Sequence, residues 1–194
     1  MIPGVIEANT GCLERDVLDR ANAHALDRLV SHLASVQRYR IIRKYVSGVV
    51  VDAACGTGFG SWILAKCPAV SRVVGFDVSS EAVEQAISEF PECEFGTVDF
   101  ASPEFVPVLV NIAPDTIVSV ETMEHLEYPQ AFLSAVWKSG ARRFVVTFPS
   151  FETVTFNPYH VRDWTLAEMN DALQLEPTVA FVIDDAVQLA VYDL

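Results

Sequence analysis

The sequence predicts an α/β fold built on an open, mostly parallel sheet, and three observations predict it. The first is the run Val49-Val50-Val51-Asp52, which stops in Ala53-Ala54-Cys55-Gly56-Thr57-Gly58-Phe59-Gly60 ahead of a helical segment over 61–67. β-Branched side chains suit a strand buried on both faces. Glycines one residue apart at the C-terminal end of such a strand take positive φ and let a ligand come against bare backbone, which suits a mononucleotide moiety. The second is an alternation of strand-like and helical segments at lengths that suit right-handed crossovers. The third is that the next strands each deliver an acid, Asp77, Asp99 and Glu121, to the sheet edge where open α/β sheets bind ligands. No Gly-Lys-Ser or Gly-Lys-Thr follows the glycines, so the phosphate and magnesium chemistry of a P-loop is excluded.

At 194 residues the chain fits one α/β domain with a full sheet core. Its formal net charge of −13 opposes a basic footprint for nucleic acid, because phosphate neutralisation supplies much of that affinity. A small or cationic substrate is easier to reconcile. The four cysteines, at 12, 55, 67 and 93, form no Cys-x-x-Cys pair and are expected to be free thiols in a reducing compartment. The start, Met-Ile-Pro-Gly-Val-Ile-Glu, has neither a basic n-region nor an apolar h-region, and no run approaches a membrane span. A soluble, cytoplasmic protein is expected.

In chain order, residues 2–11 show no periodicity. Leu18, Ala21, Ala25, Leu26, Leu29, Val30 and Leu33 recur at helical spacing, predicting an amphipathic helix over 13–35 that either covers the open cleft or stays docked. A basic helix over 38–45, read as the end of an N-terminal helical cap over 1–45, feeds the first strand of a core over 46–194. The second strand, 72–77, ends in Asp77, 25 residues beyond Asp52. That carboxylate can accept from both ribose hydroxyls or cap the helix that starts at Ser79-Ser80-Glu81. A helix over 81–90 leads to a third strand over 93–97. A segment over 102–110 is expected to be helical but interrupted at Pro107. The fourth strand runs 114–121, a helix 128–139, the fifth strand 142–148. Phe151, Phe156 and Tyr159 occupy the loop that follows, either lining a pocket or packing on the sheet edge. Thr165 with Glu168 forms a capping-box pattern for a helix to Leu173, and 178–192 reads as a hairpin turning at Asp184-Asp185.

The segment Val-Val-Asp-Ala-Ala-Cys-Gly-Thr-Gly-Phe-Gly, followed by Gly-Phe-Asp-Val-Ser around Asp77, resembles the first two motifs of the class I S-adenosylmethionine-dependent methyltransferases. Glu121-Thr122-Met123-Glu124-His125-Leu126 is similar to the Glu-x-x-Glu-His segment of the ubiquinone-biosynthesis type O-methyltransferases, and Asn157 to Arg162 resembles a post-strand motif of that group. The resemblance runs from about Arg38 to the C-terminus. It implies a Rossmann-like, seven-stranded, mostly parallel sheet with helices on both faces and the last strand antiparallel. It implies cofactor contacts from Asp52, Ala54, Cys55, Gly56, Thr57 and Gly58 in the turn, from Asp77 and Val78, from Asp99 and Phe100 around the adenine, and from Glu121. Arg38 and Tyr39 either reach the methionine carboxylate or form a solvated helix face.

The implied reaction is methyl transfer from S-adenosylmethionine to a small-molecule acceptor, at oxygen, by in-line displacement. No Asn-Pro-Pro-Tyr or Asp-Pro-Pro-Tyr follows the fourth strand, which disfavours methylation of DNA base amines. Catalytic roles are assigned to His160, His125 and Glu124, with His160 as the general base. No metal ligand is assigned. A divalent metal held by Glu121, Glu124, His125 and His160, as a similar segment holds one in small-RNA 2′-O-methyltransferases, is the less favoured alternative. The expected partner is the small-molecule acceptor, without nucleic acid or membrane, and the chain is expected to act as a monomer or homodimer. A cofactor-binding but inactive relative, or one that cleaves the cofactor or transfers its aminopropyl group, is the competing function.

Overall fold

The computed structural model describes residues 33–100 and 102–194. The chain divides into two compact units, Met1–Gln37 and Arg38–Leu194. The helix predicted over 13–35 lies, except for its last three residues, outside the described residues. Residues 38–45, read from the sequence as the end of the cap, fall within the second unit. Tyr39 and Ile42 are buried, and Arg43 Nη2 donates to Lys66 O over 2.7 Å.

The second unit is a seven-stranded sheet in the order β3-β2-β1-β4-β5-β7-β6. Its strands are β1 Gly48–Ala53, β2 Val70–Asp77, β3 Glu94–Thr97, β4 Thr116–Val120, β5 Arg143–Pro149, β6 Val179–Ile183 and β7 Val187–Asp193. β1 pairs in parallel with β2 and β4, β2 with β3, and β4 with β5. β7 is antiparallel to both neighbours, β5 and β6. Residues 38–42 are helical, and the helices after them are α1 Phe59–Ala65, α2 Ser80–Glu89, α3 Phe105–Ile112, α4 Pro129–Lys138 and α5 Leu166–Leu173. Strand order reverses at β1, where β2 and β4 diverge, so the tips of β1, β2, β3 and β4 open onto one crevice.

Alternation along β1 sorts its side chains between the two faces. Val51 and Ala53 join the apolar cluster that Phe105 and Leu109 of α3, Phe132 of α4, and Met169 and Leu173 of α5 build with Ile117, Phe144 and Val146. Val50 and Asp52 face the other way, and Asp52 meets Tyr39 and Ser61 there.

The helix expected to break at Pro107 does not. Pro107 is the third residue of α3, where its missing N–H has no intrahelical acceptor to lose. The capping box at α5 forms as read: Glu168 N donates to Thr165 Oγ1 over 3.2 Å, and Thr165 N donates to Glu168 Oε2 over 2.8 Å. The hairpin turns on two residues, Asp184 and Asp185, at φ 50 and 54, closed by Ala186 N to Ile183 O over 3.0 Å. Positive φ at both central positions matches the twist of the flanking strands. Among the described residues no helix is long and apolar enough to cross a membrane.

Candidate functional site

The β1 turn is left-handed at three residues, Ala54 at φ 66, Gly56 at φ 56 and Gly58 at φ 85. A Cβ on Gly58 would lie 2.7 Å from Ala86 Cβ and 2.8 Å from Phe95 Cζ, whereas one on Gly56 meets nothing within 4 Å. Gly58 therefore lets α1 close on α2, and Gly56 leaves its backbone face open to a ligand. Asp77 ties the turn to β2: Gly56 N donates to its Oδ2 over 2.8 Å, and Ser79 N donates to its Oδ1 over 2.9 Å. Thr57 and Asp99 are exposed beside it. The Cys55 thiol is buried, and burial pushes its pKa up with Asp52 and Asp77 adding to the effect, so it is an inert part of the turn. The described cysteines, Cys55, Cys67 and Cys93, are all free.

Three residues expected to touch the cofactor are turned elsewhere. Tyr39 and Asp52 are buried against each other: the Tyr39 hydroxyl donates to Asp52 Oδ1 over 3.2 Å, and Ser61 Oγ donates to Oδ2 over 2.7 Å. Burial raises the Asp52 pKa to about 7. This set braces the start of α1 from behind, and both side chains are buried. Phe100 points into the core, edge-on to Phe105 and Phe132, because an aromatic ring gains more from full burial than from a half-open rim. Val78, 66% exposed, is the apolar side chain left at the β2 tip.

The second half of the site is built after β4. Glu121 takes φ 50 and turns the chain at the strand tip. Its Oε1 accepts from Thr147 Oγ1 over 3.0 Å, and Arg38 Nη2 lies 3.9 Å from its Oε2. Burial raises its pKa, with Arg38 opposing. A short 3-10 turn, Met123–His125, then carries Glu124 and His125. Trp164 Nε1 donates to Met123 O over 3.0 Å, and Val161 N donates to Glu124 O over 2.9 Å, so the loop after β5 is stapled onto this turn. His160 arrives on that loop, with its ring edge-on to His125 at 4.7 Å between centroids.

Glu124, His125 and His160 each offer a ligand atom within 4.8 Å of the others. Glu124 is 1% exposed, and among the described residues its Oε2 has no hydrogen-bond partner. Burial, and then Glu121, push its carboxyl up to about 8. His125 Nδ1 lies 2.9 Å from the carbonyl of Tyr159. A carbonyl only accepts, so Nδ1 carries the proton and Nε2 keeps its lone pair. Desolvation lowers the His160 pKa, as does His125, favouring neutral imidazole. Two lone-pair imidazoles and an orphaned carboxylate oxygen are a donor set that fits a first-row divalent cation. Of the four residues in the less favoured metal alternative, Glu121 lies outside this group and is engaged by Thr147 and Arg38.

Phe151, Phe156 and Tyr159 are exposed on the same loop, with Phe151 stacked on Phe156 at 6.2 Å. Reading the sequence did not single out Thr147, Thr153, Asp163 or Trp164. Asp163 stands one residue past the Asn157 to Arg162 motif, so extending that motif by one position was the available signal.

A family model described as a methyltransferase domain matches residues 50–140. A protein of Mycolicibacterium smegmatis described as a probable S-adenosylmethionine-dependent methyltransferase is 25% identical over 154 residues, covering 75% of this chain and 56% of that protein. The mouse tRNA (uracil-5-)-methyltransferase homolog A is 32% identical over 114 residues, covering 54% of this chain and 18% of that protein. The chain thus spans about half of the first relative and a smaller part of the second. Among solved structures, a TehB-like SAM-dependent methyltransferase from Corynebacterium glutamicum superposes with a TM-score of 0.63 at 20% identity, covering 90% of this chain and 99% of that one. That likeness shows the fold.

Proposed function

This chain belongs to the class I S-adenosylmethionine-dependent methyltransferases, and from that premise we propose that it methylates an oxygen of a small-molecule acceptor beside the Glu124, His125 and His160 cluster. The convergence of these three donors carries the reading. S-Adenosylmethionine is held by the open backbone at Gly56 and by Gly58, with Asp77 on the ribose and Asp99 at the adenine. Arg38 faces the cofactor's methionine end. The acceptor oxygen's lone pair forms the new O–C bond as the sulfonium S–C bond breaks, and the hydroxyl proton leaves to the cluster or to water.

Glu124, His125 and His160 hold a divalent cation in this reading, in preference to His160 acting alone. The orphaned Glu124 oxygen and the outward-bonded His125 Nδ1 favour it. When bound, such a cation lowers the pKa of a nearby hydroxyl. The chain's own groups do the rest: Thr147 holds Glu121, the Tyr159 carbonyl orients His125, and the Phe151 and Phe156 rings offer an apolar rim for the acceptor. The tRNA named for the mouse relative is the competing acceptor, and a net charge of −13 opposes it. Free thiols support a reducing, cytoplasmic setting.

Mass spectrometry of the purified protein tests for retained cofactor or its demethylated product. Labelled methyl transfer to a panel of hydroxylated acceptors and to RNA, with EDTA and with manganese restored, tests the rest. Transfer to a hydroxylated small molecule, lost in EDTA and rescued by the ion, supports the proposal. Transfer to RNA alone, or full activity in EDTA, overturns the acceptor or the cation respectively.

A further inference from the structure

The loop that carries His160 contains a hydrogen-bonded chain that the methyl-transfer chemistry has not yet used. Thr153 Oγ1 lies 2.5 Å from His160 Nδ1 and donates to Asp163 Oδ1 over 2.8 Å. Thr153 is 4% exposed. The same Asp163 oxygen accepts from Thr153 N over 2.6 Å and from Val154 N over 3.2 Å. Those donors hold its carboxyl below the usual range, the Thr153 backbone bond first.

We infer that Asp163 and Thr153 are positioning residues that lock His160 in the Nδ1–H tautomer and present its Nε2 lone pair to Glu124 and His125. The argument is a count of hydrogens. An ionised carboxylate can only accept, so the single hydrogen of the Thr153 hydroxyl must point to Asp163. Toward His160 that hydroxyl can only accept, so Nδ1 must carry the proton. His125 reaches the same tautomer through the Tyr159 carbonyl. The two imidazoles are thus set by independent acceptors, a main-chain carbonyl for one and a side-chain relay for the other. Such outer partners fix ring orientation and ligand basicity, and their loss weakens a metal site by about 10- to 100-fold. The inference rests on the proposed role of His160 in the cluster, but the tautomer exists whether the imidazole serves a cation or acts as a base.

The test uses the full chain labelled with nitrogen-15 and long-range proton–nitrogen correlation spectra above the histidine titration range, alongside calorimetry with manganese alone. Wild-type His160 is expected as the Nδ1–H form. Thr153→Val should release it toward the Nε2–H form and weaken manganese about 10- to 100-fold, and Thr153→Ser, which keeps the hydroxyl, should restore both. An Nε2–H signal for His160 in the wild type overturns the inference without any variant having to fold. So does a Thr153→Val protein with unchanged tautomer and affinity. If the wild type shows the expected tautomer, lost in Val and restored in Ser, yet binds no manganese, the relay stands and the cation reading fails.

Discussion

Asp52 and Glu124 are both carboxylates withdrawn from water near the C-terminal edge of the sheet, 0% and 1% exposed, yet their surroundings differ in kind. Asp52 accepts from two hydroxyls, Tyr39 and Ser61. Glu124 keeps an oxygen without a partner among the described residues. Burial raises both, to about 7 and about 8, but only one arrangement completes itself. A satisfied buried acid is a brace; an orphaned one is held for something that arrives later. The contrast gives the acid on the glycine-turn strand a structural role, and makes a residue inside a short turn the better candidate for chemistry.

Removing the brace should have the largest effect. Asp52→Ala leaves the Tyr39 and Ser61 hydroxyls buried without an acceptor and opens a small cavity, so urea unfolding should show a loss of about 3 to 4 kcal/mol. Glu124→Gln should do the reverse, changing stability by less than about 1 kcal/mol while lowering manganese affinity about 100-fold in calorimetry. Equal stability losses in the two variants would erase the distinction between them.

Asp77 sharpens the comparison, because it ties Gly56 and is also the proposed ribose contact. Asp77→Ala should weaken the demethylated cofactor by about tenfold or more, since hydrogen bonds to a charged group are worth about 1.5 to 3 kcal/mol each. Unchanged affinity by calorimetry would show that Asp77 is a turn residue like Asp52.

The smallest expected effect is a slope with pH. The folded Asp52 pKa stands near 7 against an ordinary value of 3.8, so between roughly pH 4 and pH 7 the folded state binds more protons than the unfolded one, and stability falls as pH rises. From pH 6 to pH 8 this group should remove about 1 to 2 kcal/mol, with Glu124 acting in the same direction. Asp52→Asn keeps an oxygen acceptor but cannot ionise, and its unfolding free energy should vary less over that range. A parallel slope in the variant would assign the pH dependence elsewhere.

Local chemistry by itself determined much of this protein. The β-branched run into Gly56 and Gly58, the acids at the tips of β2 and β4, the Thr165 and Glu168 capping box and the Asp184-Asp185 turn all follow from residues within a few positions of one another. Propensity, φ preference and capping act at that range, so these features were legible. Pro107 shows the limit, because whether a proline breaks a helix depends on its offset from a start that packing sets. Only the tertiary structure decided that Tyr39 and Ser61 claim Asp52, that Phe100 turns into the core, that Thr147 and Arg38 draw Glu121 out of the cluster, and that Asp163 and Thr153 stand behind His160. Each joins groups whose hydrogen bond or burial exists only once the sheet order and the loop after β5 have brought them together. A carboxylate, phenol or imidazole satisfies itself with whichever partner the fold places within reach, and the linear order of residues does not state that distance.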